Sequence, residues 1–222
     1  MHMKEILIVL AIVLVMGAAE AMFPLVKSAI KLRKQRKLLN EALSNLATAL
    51  GLKDAYTETR GSGTVAAIAV RIARAMHLPK QEVKRIEIAA KLGDIGKVGV
   101  SGKILRKPGP LDPTEWSEMQ RHPIIGEEIM KPVGLLSEAA KIVRHHHEHY
   151  DGSGYPDGLK GEDIPLGSRI VLVANAFKNI TLDTPYRRAR SKSEALHELK
   201  EHAGSQFDPE VVRVFGSMID RV

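Results

Sequence analysis

Residues 145–159 read HHHEHYDGSGYPDGL, and the interpretation of the whole chain depends on them. Four histidines fall within five positions. Imidazoles crowded in this way repel one another when protonated, and a bound metal ion keeps them neutral. Because the chain contains no cysteine, the ligands of such an ion must be His, Asp or Glu. The stretch therefore predicts a metal site without a thiolate.

Spacing leaves two pairs of these histidines open as ligands. His146 and His147 are adjacent and point about 100° apart on an ideal helix, so they share an ion only where the helix ends or distorts. His145 and His149 are four positions apart and would share one helix face. The glycine-rich sequence just downstream provides a helix end, but spacing does not decide between the two pairs.

Two glycine- and proline-rich segments, residues 96–113 and 152–167, are predicted to be loops rather than helices. Each follows a cluster of ionisable residues, and long ordered loops often carry function. Asp94 and His122 are further candidate ligands on this basis, although a turn and a helix cap are the commoner roles of such residues.

Helical periodicity covers most of the remaining chain, and no strand-like alternation of useful length is present. The predicted helices are residues 62–76, 80–92, 113–121, 137–147, 168–180, 193–202 and 208–219. Ser137, Ser193 and Asp208 are the expected N-caps. The sequence predicts an all-α domain over residues 54–222.

An apolar run begins at Ile6 and continues, interrupted by Glu20, to Val26. These residues would form roughly 32 Å of helix, enough to span a bilayer core. Residues 1–27 are therefore predicted to be an N-terminal transmembrane anchor. The competing interpretation is a cleaved secretory signal, because residues 19–21 have the small-x-small pattern of a cleavage site.

Charge favours the anchor. The chain has a net charge of +7, and residues 27–37 contain six lysines and arginines and no acidic residue. The positive-inside rule places this side of the anchor in the cytoplasm. We therefore expect a single-pass protein of the inner membrane with a cytoplasmic C-terminal domain. Because most of the excess positive charge lies in this short segment rather than over a folded face, no DNA or RNA partner is expected.

Residues 28–53 form the predicted connector, which is first basic and then amphipathic. Leu39, Leu43, Leu46 and Leu50 make an apolar stripe at helical spacing. Such a stripe fits either a parallel homodimer or packing onto the chain's own domain, and the spacing does not distinguish them.

Three motifs in order carry a resemblance to a known family. Residues 146–156 read HHEHYDGSGYP, residues 161–165 read GEDIP, and residues 204–209 read GSQFDP. This series resembles the HD-GYP family, the branch of the HD superfamily that contains cyclic di-GMP phosphodiesterases. The resemblance extends from about residue 54 to the C-terminus.

The resemblance implies an all-helical HD-superfamily bundle that hydrolyses cyclic di-GMP with two or three iron, manganese or similar ions. Asp94 would bridge two ions and take part in catalysis with Lys97, which would meet the phosphate charge. His122, His146 and His147 would hold the second ion together with Asp94. Nucleotide binding would fall to Gly154, Tyr155, Pro156 and Arg187.

Several positions depart from the family pattern. Gly93 and Gly61 stand where the family has histidine, Thr57 stands where it has glutamate, and Asn175 stands where it has aspartate. Of the four expected ligands of the first ion, only Asp94 remains. An optional third ion loses its carboxylate as well.

The nucleotide-binding residues also depart from the family pattern. Thr184 replaces an arginine of the family's Asp-Arg-Pro-Tyr-Arg stretch, although Arg187 remains. We therefore expect one bound ion (iron, manganese or zinc) and a catalytically impaired module that binds cyclic di-GMP, a related nucleotide or a protein. The alternative is an active metal-dependent phosphodiesterase, in which Glu148 or His145 substitutes for a missing ligand.

Overall fold

A computed structural model describes residues 65–134, 136–183 and 188–219, together with eight positions between Met22 and Lys34. Arg187, Gly61 and Thr57 lie outside the described residues, as do nearly all of the predicted anchor and connector. Among the described residues, no helix combines the length and the apolar character that crossing a membrane requires.

The described part of the chain is helical and contains no strand, which confirms the all-α prediction for these residues. Its one extended pairing is an isolated bridge between Ala203 and Phe207. The helices are α1 (Val65–Ala75), α2 (Lys80–Leu92), α3 (Gly102–Leu105), α4 (Pro113–Met119), α5 (His122–Met130), α6 (Ser137–Arg144), α7 (Leu166–Ile180), α8 (Lys192–Glu201) and α9 (Pro209–Ile219).

Helix α7 lies at the centre of the core. Its buried residues occur on all sides rather than on one stripe, as expected for a helix covered by neighbours all round. Helices α1, α2, α6, α8 and α9 pack against it. Helices α2 and α5 in turn pack on or beside α6, and this arrangement brings the end of α2, the start of α5 and the end of α6 together.

Helix α5 is absent from the sequence prediction. Its sequence contains Pro123 and Gly126, which normally indicate a loop. Pro123 lies in the first turn, where the missing N–H has no helical partner in any case. A Cβ at Gly126 would come 2.9 Å from Val143 Cγ1, so the glycine allows α5 and α6 to pack closely.

The two segments predicted to be loops are only partly irregular. The first contains α3 and most of a 3-10 helix, Ile95–Gly99, and the second contains the 3-10 helix Gly161–Asp163 and the start of α7. Such short helical turns fall below the length that periodicity detects.

Two of the three predicted N-caps are wrong. Helix α8 begins one residue earlier than predicted, and Ser191 caps it in a capping box with Glu194. The Ser137 hydroxyl donates instead to the Gly134 carbonyl. Asp208 caps α9 as predicted, because its carboxylate accepts hydrogen bonds from the backbone N–H groups of Glu210 and Val211.

The 3-10 helix after α2 approaches α5 at Gly96, and this contact yields the first prediction. A Cβ there would lie 1.9 Å from the His122 carbonyl oxygen and 2.5 Å from the Gly126 nitrogen, both backbone atoms. We expect Gly96→Ala to lower the free energy of unfolding by about 3 kcal/mol or more, since overpacking against backbone cannot be relieved by a rotamer change. Urea unfolding measures the loss.

Gly134→Ala is the matched control, because a Cβ at Gly134 has no heavy atom within 4 Å. It should leave stability within about 0.5 kcal/mol of the wild type. Equal stability of the two variants would mean that the close approach at Gly96 is not part of the native structure.

Candidate metal centre

Three imidazoles from two helix ends form a compact group. His122 is the first residue of α5, and His146 and His147 lie in the turn after α6. One nitrogen from each ring lies within 4.8 Å of the others. Helix α6 ends at Arg144, three residues before the end of the predicted helix, and this early end lets the adjacent pair point toward one place.

Backbone carbonyls orient two of these rings. The Nδ1 of His122 donates to the Met119 carbonyl at 2.8 Å, and the Nδ1 of His146 donates to the Val143 carbonyl at 2.5 Å. The Nε2 atoms therefore carry the free lone pairs. The Nε2 of His122 is buried without a hydrogen-bond partner. An oriented imidazole with an unpartnered buried lone pair is what a metal ligand requires, so the group fits a transition-metal ion.

Burial keeps the imidazoles neutral. It lowers the pKa of His146 to about 4 and places the pKa of His147 well below its ordinary value. The pKa of His122 is lowered by burial too. Neutral imidazoles can bind a metal without first releasing protons, so the site stays competent well below neutral pH.

A pH dependence of stability follows for the metal-free protein. Between pH 6.5 and about 4, unfolded His146 binds a proton that the folded protein does not, so stability falls as the pH falls through this window. For His146 alone, lowering the pH from about 7.5 to about 5 should cost about 2 kcal/mol. Urea unfolding of the metal-free wild type and of His146→Asn at the two pH values gives this contribution as the difference between the two proteins.

His146→Asn should weaken that pH dependence, whereas His197→Asn, at an exposed position of α8, should not. An unchanged slope in the His146 variant would rule out His146 as the main titrating group.

A carboxylate and an ammonium lie beside the imidazoles. Asp94 Oδ1 is 3.6 Å from His122 Nε2 and 3.2 Å from Lys97 Nζ. Burial alone would raise the pKa of Asp94, but Lys97, His146 and His122 together bring it below its ordinary value. The carboxylate is therefore ionised at neutral pH, so it could act as an additional ligand of an ion in this group.

The Gly154-Tyr155-Pro156 loop folds back onto the histidine turn. A Cβ at Gly154 would lie 2.2 Å from the backbone nitrogen of His149 and 2.5 Å from the carbonyl oxygen of His147, so only glycine fits. The Tyr155 ring stacks on the His147 ring, with centroids 4.9 Å apart and planes 17° from parallel. Burial raises the pKa of Tyr155, so its hydroxyl stays protonated. The loop thus covers one side of the candidate site.

The alternative pair of histidines does not form a site. Both ring nitrogens of His145 are engaged, one with the Lys141 carbonyl and one with Asp157 Oδ2, each at 2.9 Å. The Nδ1 of His149 lies 3.0 Å from the Ser153 hydroxyl. The structure therefore favours His146 and His147, the choice that spacing left open.

Sequence analysis missed a polar network that holds the loop. Arg144 makes a bidentate pair with Asp157, at 2.6 and 2.7 Å, and also donates to Glu127. Glu148, only 1% exposed, accepts a hydrogen bond from the Asp157 backbone N–H at 2.7 Å through Oε1. Its other oxygen, Oε2, is buried and unpartnered. No local motif signals these contacts, because Arg144 and Asp157 are 13 residues apart.

Two of the departures from the family pattern fall on described residues. A Cβ at Gly93 would lie 3.6 Å from His146 Nε2, so a side chain at this position would border the imidazoles. Asn175 lies on α7 and is half-buried.

Three converging imidazoles and an adjacent aspartate make this helical domain a candidate metal-binding domain. The family profile described as HD domain matches residues 24–211, and the chain belongs to this family. The HD-GYP resemblance is confirmed by its relatives, and the chain spans less than half the length of the two curated relatives described below.

Two curated relatives illustrate the match. The chain is 41% identical over 174 residues to the cyclic di-GMP phosphodiesterase response regulator RpfG of Xanthomonas campestris, covering 78% of this chain and 46% of the relative. It is 35% identical over 181 residues to 3'3'-cGAMP-specific phosphodiesterase 2 of Vibrio cholerae, covering 81% of this chain and 34% of the relative.

Solved structures support the fold. A cyclic GMP-AMP-specific phosphodiesterase of Vibrio cholerae superposes with a TM-score of 0.63 at 21% identity, over 81% of this chain and 48% of the other. An HDGYP protein from Bdellovibrio bacteriovorus gives a TM-score of 0.56 at 22% identity, over 71% and 50%.

Proposed function

We propose that this chain is a membrane-anchored HD-GYP module that binds one divalent iron, manganese or zinc ion. It acts mainly by binding a nucleotide such as cyclic di-GMP, or a protein partner, and hydrolyses little or none of the nucleotide. His122, His146, His147 and Asp94 would hold the ion. When bound, such an ion supplies positive charge that polarises a phosphate oxygen.

Gly93 is the main support for the proposal that the site binds a single ion. It borders His146 Nε2, at the place where a second ion would need an imidazole, and it offers no ligand atom. Asn175 is neutral where the family has a carboxylate. A lone aspartate binds a transition ion weakly, so Asp94 by itself would not retain a second one.

Nucleotide binding is supported by the groups around the cluster. Lys97 lies beside Asp94, where its ammonium could meet a phosphate. Tyr155 borders the same place through its stack on His147. The substrates named for the relatives are cyclic dinucleotides, which fits a phosphate site of this kind.

Hydrolysis of cyclic di-GMP is the second candidate. It is favoured by the complete group of three imidazoles and by relatives that are named phosphodiesterases. Of the possible substitute ligands, Glu148 retains a buried oxygen without a hydrogen-bond partner, whereas both nitrogens of His145 are engaged. In this case the chain would be a slow phosphodiesterase that works with one ion, or with a second ion held by a substitute ligand.

Metal analysis and a hydrolysis assay separate the two candidates. The full chain in detergent should bind about one ion per chain, and His147→Ala should lose it, because a transition ion needs several ligands. His197→Ala, at an exposed position, is the control. Clear turnover of cyclic di-GMP with manganese or anaerobic iron, abolished by His147→Ala, would refute the impaired module and establish the enzyme.

We also propose that residues 1–27 anchor the protein in the inner membrane in a single pass, with the remainder in the cytoplasm. The support is the apolar run and the basic segment that follows it. Carbonate-resistant membrane association of the full chain is expected, and release of the intact chain by carbonate would refute the anchor.

A further inference from the structure

Trp116 is the only tryptophan of the chain, and it lies at the edge of the candidate metal centre. Its side chain is 47% exposed. It meets Tyr155 in an edge contact, with ring centroids 6.3 Å apart and planes at 77°. Because Tyr155 stacks on His147, a continuous row of aromatic rings leads from the imidazoles to an exposed indole.

Polar contacts hold the helix that carries Trp116. Helix α4 buries none of its residues, so apolar packing does not fix its place. Asp112 and Glu115 form a capping box at its start, and Lys107 pairs with Glu115 at 2.5 Å. Glu118 accepts a hydrogen bond from the Ser101 backbone N–H at 2.7 Å. These contacts orient the helix at both ends while its largest apolar side chain remains in solvent.

We propose that Trp116 is a stacking platform for a purine base of the bound nucleotide, whose phosphate lies at the imidazoles. This inference rests on the proposed nucleotide-binding function and assigns one of its subsites. The sugar of a nucleotide separates phosphate from base, so a base that leaves the cluster on the Tyr155 side reaches Trp116. Exposed aromatic rings bind bases by stacking, and the large indole and purine faces suit each other.

The geometry leaves room for the base. Tyr155 and Trp116 are nearly perpendicular, so they do not stack face to face, and an edge contact of this kind meets at most one of the two indole faces. Tyr155, by contrast, is already stacked on His147 and is the less accessible platform. The half-exposed indole is therefore the ring that can stack on a base, whereas Tyr155 packs against the imidazole of His147.

The single tryptophan makes the inference directly measurable. Cyclic di-GMP is titrated into the metal-loaded full chain in detergent, with binding followed independently by equilibrium dialysis of labelled nucleotide and by indole fluorescence. Stacking should quench the fluorescence with the same midpoint as the dialysis curve. Trp116→Ala should weaken binding roughly 5- to 150-fold, and Trp116→Phe should retain most of the affinity.

Val133→Ala is the control, because Val133 is similarly exposed and follows the end of α5 remote from His122. It should bind as the wild type does. Nucleotide binding that dialysis detects but that leaves the indole fluorescence unchanged would overturn the stacking role. Unaltered affinity in Trp116→Ala would do the same. Both results would leave the proposed function intact, and the indole would then suit a protein partner.

Two further outcomes would also overturn the inference. If Trp116→Ala lost the metal ion, the indole would instead be a structural residue that holds Tyr155 and His147 in place. Absence of nucleotide binding by dialysis would refute the nucleotide-binding function itself, and the subsite with it.

Discussion

Substituting Gly61→His, Gly93→His and Asn175→Asp in one chain is expected to raise the metal content from about one to about two ions per chain and to increase cyclic di-GMP hydrolysis by about 100-fold or more. A second ion adds charge at the phosphate and at the attacking water, and a stabilisation of several kcal/mol corresponds to at least this factor. Metal analysis and a hydrolysis assay on the same preparation measure both effects.

The structure makes the central substitution feasible. A Cβ at Gly93 meets the Ala89 carbonyl at 3.5 Å and the His146 ring at 3.6 Å, both ordinary contact distances. Gly93 has a right-handed helical conformation, with φ −49° and ψ −41°, that any residue adopts. The backbone at Gly93 therefore accepts a Cβ without moving.

Single substitutions serve as the controls for this prediction. Gly93→His alone should leave the metal content and turnover close to those of the wild type, because the ligands of one ion act as a unit. A wild-type chain that already holds two ions would contradict the argument, as would a triple variant that still holds one.

Asp208→Ala is expected to lower the free energy of unfolding by about 3–5 kcal/mol, since it leaves a buried guanidinium without its partner. Asp208 is 4% exposed and pairs with Arg169, which is itself largely buried. The same carboxylate caps α9, so the substitution also leaves two backbone N–H groups without an acceptor. Urea unfolding of the two proteins under identical metal conditions gives the difference.

Arg213→Ala provides a comparison on the same helix. Arg213 pairs with Glu210 at 2.6 Å, but both side chains are more than half exposed. Water screens such a pair, so its loss should leave the free energy of unfolding nearly unchanged. Similar losses in the Asp208 and Arg213 variants would show that the buried pair contributes little.

Sequence patterns predict the helices well where one regular face is buried. Helix α2 has the predicted bounds, Lys80–Leu92, because its apolar residues repeat at helical spacing without Gly or Pro. Helix α5 is not predicted, because its close packing on α6 requires Gly126, and a glycine in the sequence normally indicates the end of a helix. The end of α6 is missed because histidine has no strong preference for helix or turn.

The three histidines of the candidate metal centre are predictable as a set, but their arrangement is not. The sequence identifies His122, His146 and His147, while the choice between adjacent and four-spaced histidines depends on where α6 ends. The contacts of Arg144 and Glu148 with Asp157 arise only when the loop folds back on the histidine turn. Long-range contacts of this kind leave no periodic trace in the sequence.

The stack of Tyr155 on His147 joins the Gly154-Tyr155-Pro156 loop to a residue that would hold the ion. Any small molecule that displaces the tyrosine also disturbs that imidazole. Reciprocity then requires the ion to change the affinity for the molecule by the same factor as the molecule changes the affinity for the ion. Under the proposed function, occupancy of the metal centre would thereby shift the nucleotide concentration at which the domain is half-saturated.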